Sequence, residues 1–154
     1  MNETRSPAAQ RTVVYVEDQP VNVLLMQALF GRRPDLRLLV ATTGREAMDT
    51  VDGLWPDLLL LDIRLPDCSG TDLLPRLRLH PGCRHVPAIA VTAEHGFRSS
   101  DTGFDEVWTK PLRFDWTMKR LAQYLPVDTG RVSSNMPTAR SANFLSAGAS
   151  AGRH

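Results

Sequence analysis

Short apolar runs alternate with helical patterns over residues 11–125, and this alternation is the main structural signal in the chain. The runs are rich in β-branched and aliphatic residues and are too short for helices, which is typical of buried strands. The third run is continuously apolar, as expected of a strand that is covered on both faces. The five predicted strands are Thr12–Val16, Leu36–Ala41, Leu58–Leu61, Val86–Thr92 and Glu106–Thr109.

Four helices are predicted between and after these strands. Pro20 opens the first, because proline fits a first helical turn that needs no amide partner. Its expected apolar stripe consists of Val21, Leu24, Leu25, Ala28 and Leu29. Residues 44–51 form the second helix, and Thr71 caps the third, which puts Pro75 at its tolerated fourth position. The last helix covers 113–125, with Phe114, Met118, Leu121 and Leu125 spaced for one face.

This order of elements predicts an α/β fold with a doubly wound, five-stranded parallel sheet and helices on both faces. Residues 11–125 form the predicted domain. Residues 1–10 and 126–154 are expected to be flexible, because segments so rich in Ser, Ala, Gly, Pro and Asn bury too little apolar surface to offset chain entropy.

Composition narrows the class of protein. With 18 Lys and Arg against 17 Asp and Glu, the net charge of +1 argues against a protein that coats nucleic acid or membranes. Cys68 and Cys83 have no disulfide-scaffold or zinc spacing, and the chain shows neither a signal peptide nor a membrane-spanning run. We therefore expect a cytoplasmic location. Trp55, Phe104 and Trp108 are expected to pack in the core.

Polar side chains follow the predicted strands where each strand ends. Glu17 and Asp18 follow the first strand, Asp62 the third, Thr92 ends the fourth, and Lys110 follows the fifth. In a doubly wound parallel sheet the ligand site lies outside the carboxyl ends of the strands, so these groups are expected to converge.

Three carboxylates in one cleft repel one another and stay ionised together only with a cation among them. An all-oxygen ligand set without His or Cys favours Mg²⁺. Lys110 and the Thr92 hydroxyl supply donors for phosphoryl oxygens. The combination predicts a phosphoryl-transfer site with an aspartate acceptor.

Four segments in this order, VVYVEDQPVN, DLLLLDIRLPDCSG, AVTA and VWTKPL, resemble the receiver domain of two-component response regulators. The likeness covers about 12–125 and is particularly close to receivers attached to hybrid sensor kinases. It implies a flavodoxin-like fold and Asp62 as acceptor of a phosphoryl group from a histidine kinase or histidine phosphotransfer protein.

The resemblance also implies the other roles. Mg²⁺ would be held by Asp18, Asp62 and the backbone carbonyl of Arg64, and by Glu17 through water. Lys110 would pair with the phosphoryl group, Thr92 would bond to it once formed, and Ala93 would leave room for it. Pro111 would follow a cis bond that aims Lys110.

The chain departs from the family pattern at three points. Val107 stands where the family has Tyr or Phe, and the neighbouring Trp108 should point to the opposite face of the sheet. The segment EHGFRSSDTG is short and rich in poor helix formers, so the helix between the last two strands is expected to be cut to about a turn or lost. Arg64 and Glu94 could pair and screen the phosphoryl site from water.

The sequence therefore favours a stand-alone receiver that signals to a downstream protein through protein contacts, without direct binding to nucleic acid or membrane, and that is not an enzyme in its own right. One alternative is a receiver-like binding module that works without phosphorylation. A phosphatase with an aspartate nucleophile is disfavoured, because the acid/base position two residues after Asp62 is Arg64.

Overall fold

The computed structural model describes residues 10–100 and 102–127. Within these residues it contains five strands and four α-helices in alternation, and a short 3₁₀ turn at Pro81–Cys83. The strands are β1 (Arg11–Val16), β2 (Leu36–Ala41), β3 (Leu58–Asp62), β4 (Ala88–Thr92) and β5 (Glu106–Thr109). The helices are α1 (Pro20–Phe30), α2 (Gly44–Val51), α3 (Gly70–Leu77) and α4 (Phe114–Tyr124). The segments predicted to be flexible, 1–10 and 126–154, lie almost wholly outside the described residues.

All five strands are parallel and follow the order β2-β1-β3-β4-β5, which confirms the predicted doubly wound sheet. The strand order reverses between β1 and β3, so the carboxyl ends of these two strands open at the switch point of the fold. Strand β3 is central and entirely buried. At this edge the end of β3 lies between the end of β1 on one side and the end of β4 on the other.

Two apolar clusters, one on each face, hold the sheet between its helices. Leu59 and Leu61 join the cluster under α2 and α3, whereas Leu58 and Leu60 join the cluster under α1 and α4. Successive side chains of a strand point to opposite faces, so a strand covered on both sides must be apolar at every position. This explains the continuous leucine run.

The apolar stripe predicted for α1 is correct for Leu29 but wrong for its other four residues. Met26, Leu29 and Phe30 are the buried residues, while Val21 and Leu24 are 70% and 65% exposed. The helix carries two overlapping apolar faces, and the face that holds the large Met26 and Phe30 side chains covers more of the sheet. The other face, Val21, Leu24, Leu25 and Ala28, is left at the surface and is called here the α1 outer face.

The third helix begins two residues earlier than predicted. Ser69, rather than Thr71, is its N-cap, and the Ser69 hydroxyl oxygen accepts a hydrogen bond from the Thr71 amide at 3.0 Å. Pro75 is consequently the sixth helical residue, where it removes the bond that an amide would make to the Thr71 carbonyl. The predicted fourth position was wrong because Ser69 and Thr71, two residues apart, are both of residue types that serve as N-caps.

Residues 93–100 and 102–105 contain no helix, which confirms the predicted loss of the element between β4 and β5. Phe97 and Phe104 pack edge to face in this loop, with ring centroids 6.2 Å apart, and join the cluster under α2 and α3. Gly96 and Gly103 have φ values of 86° and 84°, a left-handed conformation that glycine adopts without strain. The loop thus covers with two aromatic rings the sheet face that a helix would cover.

Two predicted packing positions are wrong. Trp55 is 71% exposed, whereas Phe104 and Trp108 are buried as expected. In α4, Phe114 is 37% exposed and lies beneath the Arg32 guanidinium, 5.5 Å from the ring centroid. Thr117 takes the buried place instead. No helix among the described residues is long and apolar enough to cross a membrane.

A set of hydrogen bonds to Glu106, called here the Glu106 network, joins α4 to β5. Glu106 accepts two hydrogen bonds from Arg120, at 2.8 and 2.5 Å, one from the Tyr124 hydroxyl at 2.6 Å, and one from the Trp108 indole at 3.1 Å. Burial opposes ionisation of Glu106, but these donors outweigh it and lower its pKa below the ordinary value. The last helix is therefore fixed against the edge strand that precedes Lys110.

We expect Glu106→Gln to lower the free energy of unfolding by about 1–3 kcal/mol at neutral pH, because charge-assisted hydrogen bonds are lost. Since the folded pKa is depressed, the stabilisation is present above the unfolded pKa of about 4.3 and is lost as the pH falls through the folded value. Urea unfolding from about pH 7 to about pH 3 measures this. A difference that stays constant across this range would contradict it, and the exposed Asp49→Asn is the control.

Candidate functional site

The predicted site residues meet at the switch point of the sheet. Strand β1 is followed by Glu17 and Asp18, β3 ends at Asp62, and β4 ends at Thr92. They border a cleft of about 500 Å³, lined by Asp18, Gln19, Asp62, Arg64, Thr92, Ala93, Glu94, His95 and Lys110. Glu17 lies beneath the cleft and is fully buried. His95 is a lining residue that the sequence did not single out.

Three carboxylates gather on one side of this cleft. Glu17, Asp18 and Asp62 each offer an oxygen atom, and the three atoms lie within 4.8 Å of one another. Asp62 is 5% exposed and Asp18 is half-buried, so only one side of the cluster faces water. The donor set consists of oxygen atoms alone and is open to solvent, which fits Mg²⁺ with its retained waters.

Lys110 is the counter-charge of this cluster. Its Nζ lies 2.7 Å from Glu17 Oε1 and 3.1 Å from Asp62 Oδ2. Burial works against the charged form of Lys110, but the bonds to both carboxylates prevail and raise its pKa. The Lys110–Pro111 peptide bond is cis, as expected.

Asp62 is positioned from two sides. Its Oδ2 accepts a hydrogen bond from Lys110, and its Oδ1 accepts one from the Arg64 amide at 3.2 Å. Burial and the nearby charge of Glu17 raise the pKa of Asp62, while Lys110 and the Arg64 amide act in the opposite direction. These two hydrogen bonds therefore hold the Asp62 carboxylate in one orientation beside the open cleft.

Glu17 is held by more donors than the sequence indicated. Its Oε1 accepts from the Tyr15 hydroxyl at 3.1 Å, and its Oε2 accepts from the Gln19 amide at 3.1 Å and from Asn22 Nδ2 at 3.3 Å. Tyr15 could have been found from strand alternation, because residues two apart on a strand share a face. Asn22 lies in the first turn of α1, and no spacing rule linked it to Glu17.

Two loops meet across the cleft mouth. Arg64 Nε lies 2.7 Å from Glu94 Oε2, with side-chain exposures of 78% and 33%. The expected ion pair is therefore present. The Glu94 amide donates to the Thr92 hydroxyl oxygen at 3.0 Å, which ties the loop to the end of β4. Thr92 is buried and Ala93 is exposed at the cleft.

Val107 and Trp108 lie on opposite faces of β5, as predicted. Val107 packs against the cluster under α2 and α3, whereas Trp108 belongs to the cluster under α1 and α4. The Trp108 ring is fully buried and meets the Trp116 ring edge to face, with centroids 5.8 Å apart. Trp108 therefore does not replace an aromatic ring at position 107.

Known proteins resemble this chain in fold and sequence. Residues 13–122 match the family model of the response regulator receiver domain. The receiver domain of the sensor histidine kinase PA1611 from Pseudomonas aeruginosa, solved with a magnesium ion in its active-site cleft, is 26% identical with a TM-score of 0.67, and the match covers 75% of this chain and 98% of that domain. The chemotaxis protein CheY4 of Vibrio cholerae, at 19% identity and a TM-score of 0.69 over 76% of this chain and 100% of CheY4, shares the fold.

Two curated relatives differ in length. The polar-differentiation response regulator DivK of Brucella abortus is 36% identical over 83 residues, which is 54% of this chain and 67% of DivK. A probable cyclic di-GMP phosphodiesterase of Vibrio cholerae is 26% identical over 137 residues. That match covers 89% of this chain but 29% of the phosphodiesterase. Because the family model spans 13–122 and the cleft assembles within those residues, the chain belongs to the response regulator receiver domain family.

Proposed function

We propose that this receiver domain accepts a phosphoryl group on Asp62 from a phosphohistidine of a histidine kinase or histidine phosphotransfer protein, and passes the signal on through protein contacts. The carrying observation is that Asp62 lies at an open cleft with Glu17, Asp18 and Lys110 around it. The proposal places the reaction in the cytoplasm, where histidine kinases act.

In this proposal Asp18, Asp62 and the Arg64 carbonyl, with Glu17 through water, hold Mg²⁺. When bound, the ion neutralises charge on the acceptor and the phosphoryl oxygens. An Asp62 oxygen attacks phosphorus as the bond from phosphorus to the histidine nitrogen breaks, which forms an acyl phosphate and frees the imidazole. Lys110 pairs with a phosphoryl oxygen, the Thr92 hydroxyl donates to another, and Ala93 leaves room for the group.

We expect acetyl phosphate to add one phosphoryl group to the wild type in the presence of Mg²⁺ and to add none in EDTA. Asp62→Asn should remain unlabelled, because an amide oxygen cannot form the acyl phosphate. Intact-mass spectrometry measures the product. Asp72→Asn, at an exposed position in α3, is the matched control and should be labelled like the wild type.

A wild type that stays unlabelled under these conditions would contradict the proposal and favour a receiver-like binding module that works without phosphorylation. The absent helix between β4 and β5 is the structural observation on the side of that alternative. Labelling of Asp62→Asn at the wild-type rate would also contradict the proposal, because it would place the acceptor elsewhere.

The α1 outer face supports a protein donor. Val21, Leu24 and Leu25 are 70%, 65% and 37% exposed, and the helix begins two residues after Asp18. A protein that delivers a phosphoryl group to Asp62 has to cover the cleft mouth, so its surface would rest on this adjacent apolar patch. Burying one leucine contributes about 1.5–3 kcal/mol, enough to alter a transfer rate tenfold or more.

We expect Leu24→Asp to slow transfer from the kinase or phosphotransfer protein that labels the wild type fastest by about tenfold or more. Labelling by acetyl phosphate should stay unchanged, because the cleft itself is intact. Leu79→Asp, at a position 76% exposed, is the matched control and should leave both rates unchanged. Equal transfer rates for Leu24→Asp and the wild type would exclude the α1 outer face as the donor surface.

The Arg64–Glu94 pair should lengthen the lifetime of the phosphorylated protein by screening Asp62 from water, since both residues line the cleft that Asp62 lines. Exposed ion pairs contribute about 0–1 kcal/mol, which corresponds to at most about a fivefold change in rate. We therefore expect Arg64→Ala to hydrolyse its acyl phosphate about twofold to fivefold faster. Arg45→Ala, which changes an exposed arginine in α2, serves as the control. An unchanged rate of acyl phosphate hydrolysis in Arg64→Ala would contradict this role of the ion pair.

A further inference from the structure

We propose that Tyr15 and Asn22 are positioning residues that fix the buried Glu17 carboxylate and thereby set the Mg²⁺ affinity of the cleft. This inference rests on the proposed function, because it assumes that Glu17 helps to hold the ion through water. Both residues lie outside the set that the sequence and the family resemblance pointed to.

Glu17 needs such support because it is a carboxylate with no exposed surface. A buried charge is tolerated only when hydrogen bonds or opposite charges replace its water. Its two oxygens accept four bonds in all, from Tyr15 and Lys110 on Oε1 and from the Gln19 amide and Asn22 on Oε2. Each oxygen is therefore fixed by two donors, and the orientation of the carboxylate follows from where those donors lie.

Tyr15 and Asn22 differ from the other two donors. Lys110 divides its charge between Glu17 and Asp62. In the proposed function it also pairs with a phosphoryl oxygen after transfer. The Gln19 donor is a backbone amide and is present whatever the side chain is. Among the hydrogen bonds of the described residues, those from the Tyr15 hydroxyl and the Asn22 side-chain amide go to Glu17 alone.

Both side chains are anchored independently of the cleft. Tyr15 is fully buried in the cluster under α1 and α4, which also contains Met26, Leu29 and Trp108. Asn22 is the third residue of α1, and Pro20 and the turn of the helix set its position. Tyr15 on the strand therefore binds one oxygen of the Glu17 carboxylate, and Asn22 on the helix binds the other. Both bonds can persist when Lys110 pairs with a phosphoryl group.

Groups that orient metal-holding side chains typically change metal affinity by about 10–100-fold when they are removed. Tyr15→Phe deletes the hydroxyl and keeps the packed ring, so the expected result is a Mg²⁺ dissociation constant about tenfold higher. Asn22→Ala removes the second donor at a helical position that favours alanine, and the same direction is expected. Titration of the full chain with MgCl₂ by isothermal calorimetry measures both constants.

Tyr124→Phe is the matched control, because its hydroxyl also donates to a carboxylate, Glu106, at 2.6 Å and lies outside the cleft. Its Mg²⁺ dissociation constant should equal that of the wild type. Thermal unfolding in EDTA separates loss of the site from loss of the fold, and labelling rates should recover at saturating Mg²⁺ for both Tyr15→Phe and Asn22→Ala.

The outcomes are distinguishable. A wild type that binds no Mg²⁺ overturns the proposed function and this inference together. A wild type that binds, with Tyr15→Phe and Asn22→Ala both unchanged, overturns this inference alone. Equal weakening in Tyr15→Phe and Tyr124→Phe also overturns it, because the effect would then come from general destabilisation. Weaker binding confined to Tyr15→Phe and Asn22→Ala supports it.

Discussion

One ammonium group holds the functional edge of this domain together. Lys110 lies within 3.1 Å of two carboxylates, one of them fully buried, at the point where three acidic residues converge. Like charges at such distances raise one another's pKa, and burial raises it further. The ammonium group opposes both effects at Asp62 and keeps an acidic cluster compatible with a closed core. Every other feature of the cleft is arranged around this balance of charge.

The sheet explains why these charges meet at all. Parallel strands bring their carboxyl ends to one edge, and the reversal of strand order between β1 and β3 leaves that edge open. Both faces are filled by apolar clusters, which favours polar side chains at the strand ends. The fold therefore concentrates Glu17, Asp62 and Lys110 by geometry, whereas their attraction orients them.

The sequence predicted the sheet, the strand ends and the convergence of polar residues there, because period-two and continuous apolar patterns are local signals. It failed for the α1 outer face, since Val21 and Leu24 have the right spacing for burial and only competition with Met26 and Phe30 decides which face turns inward. Trp55 was misjudged for a related reason, because hydrophobicity indicates a preference for burial and not a neighbour to pack against. The donors Tyr15 and Asn22 were missed because their role depends on where the Glu17 carboxylate lies in three dimensions.

The side chains around β5 and those at the cleft mouth are held by different kinds of contact. The Trp108 ring donates a hydrogen bond to Glu106 in the Glu106 network and packs against Trp116. These contacts leave the Trp108 ring little freedom to respond to a change at Asp62. The loop after β4 carries no helix in its described residues and is joined to the cleft by the Thr92 hydroxyl and the Arg64–Glu94 pair. In the proposed function, a phosphoryl group on Asp62 would add about two negative charges beside these contacts. The added charge would then face an exposed ion pair and a glycine-containing loop on one side and the hydrogen-bonded strand β5 on the other.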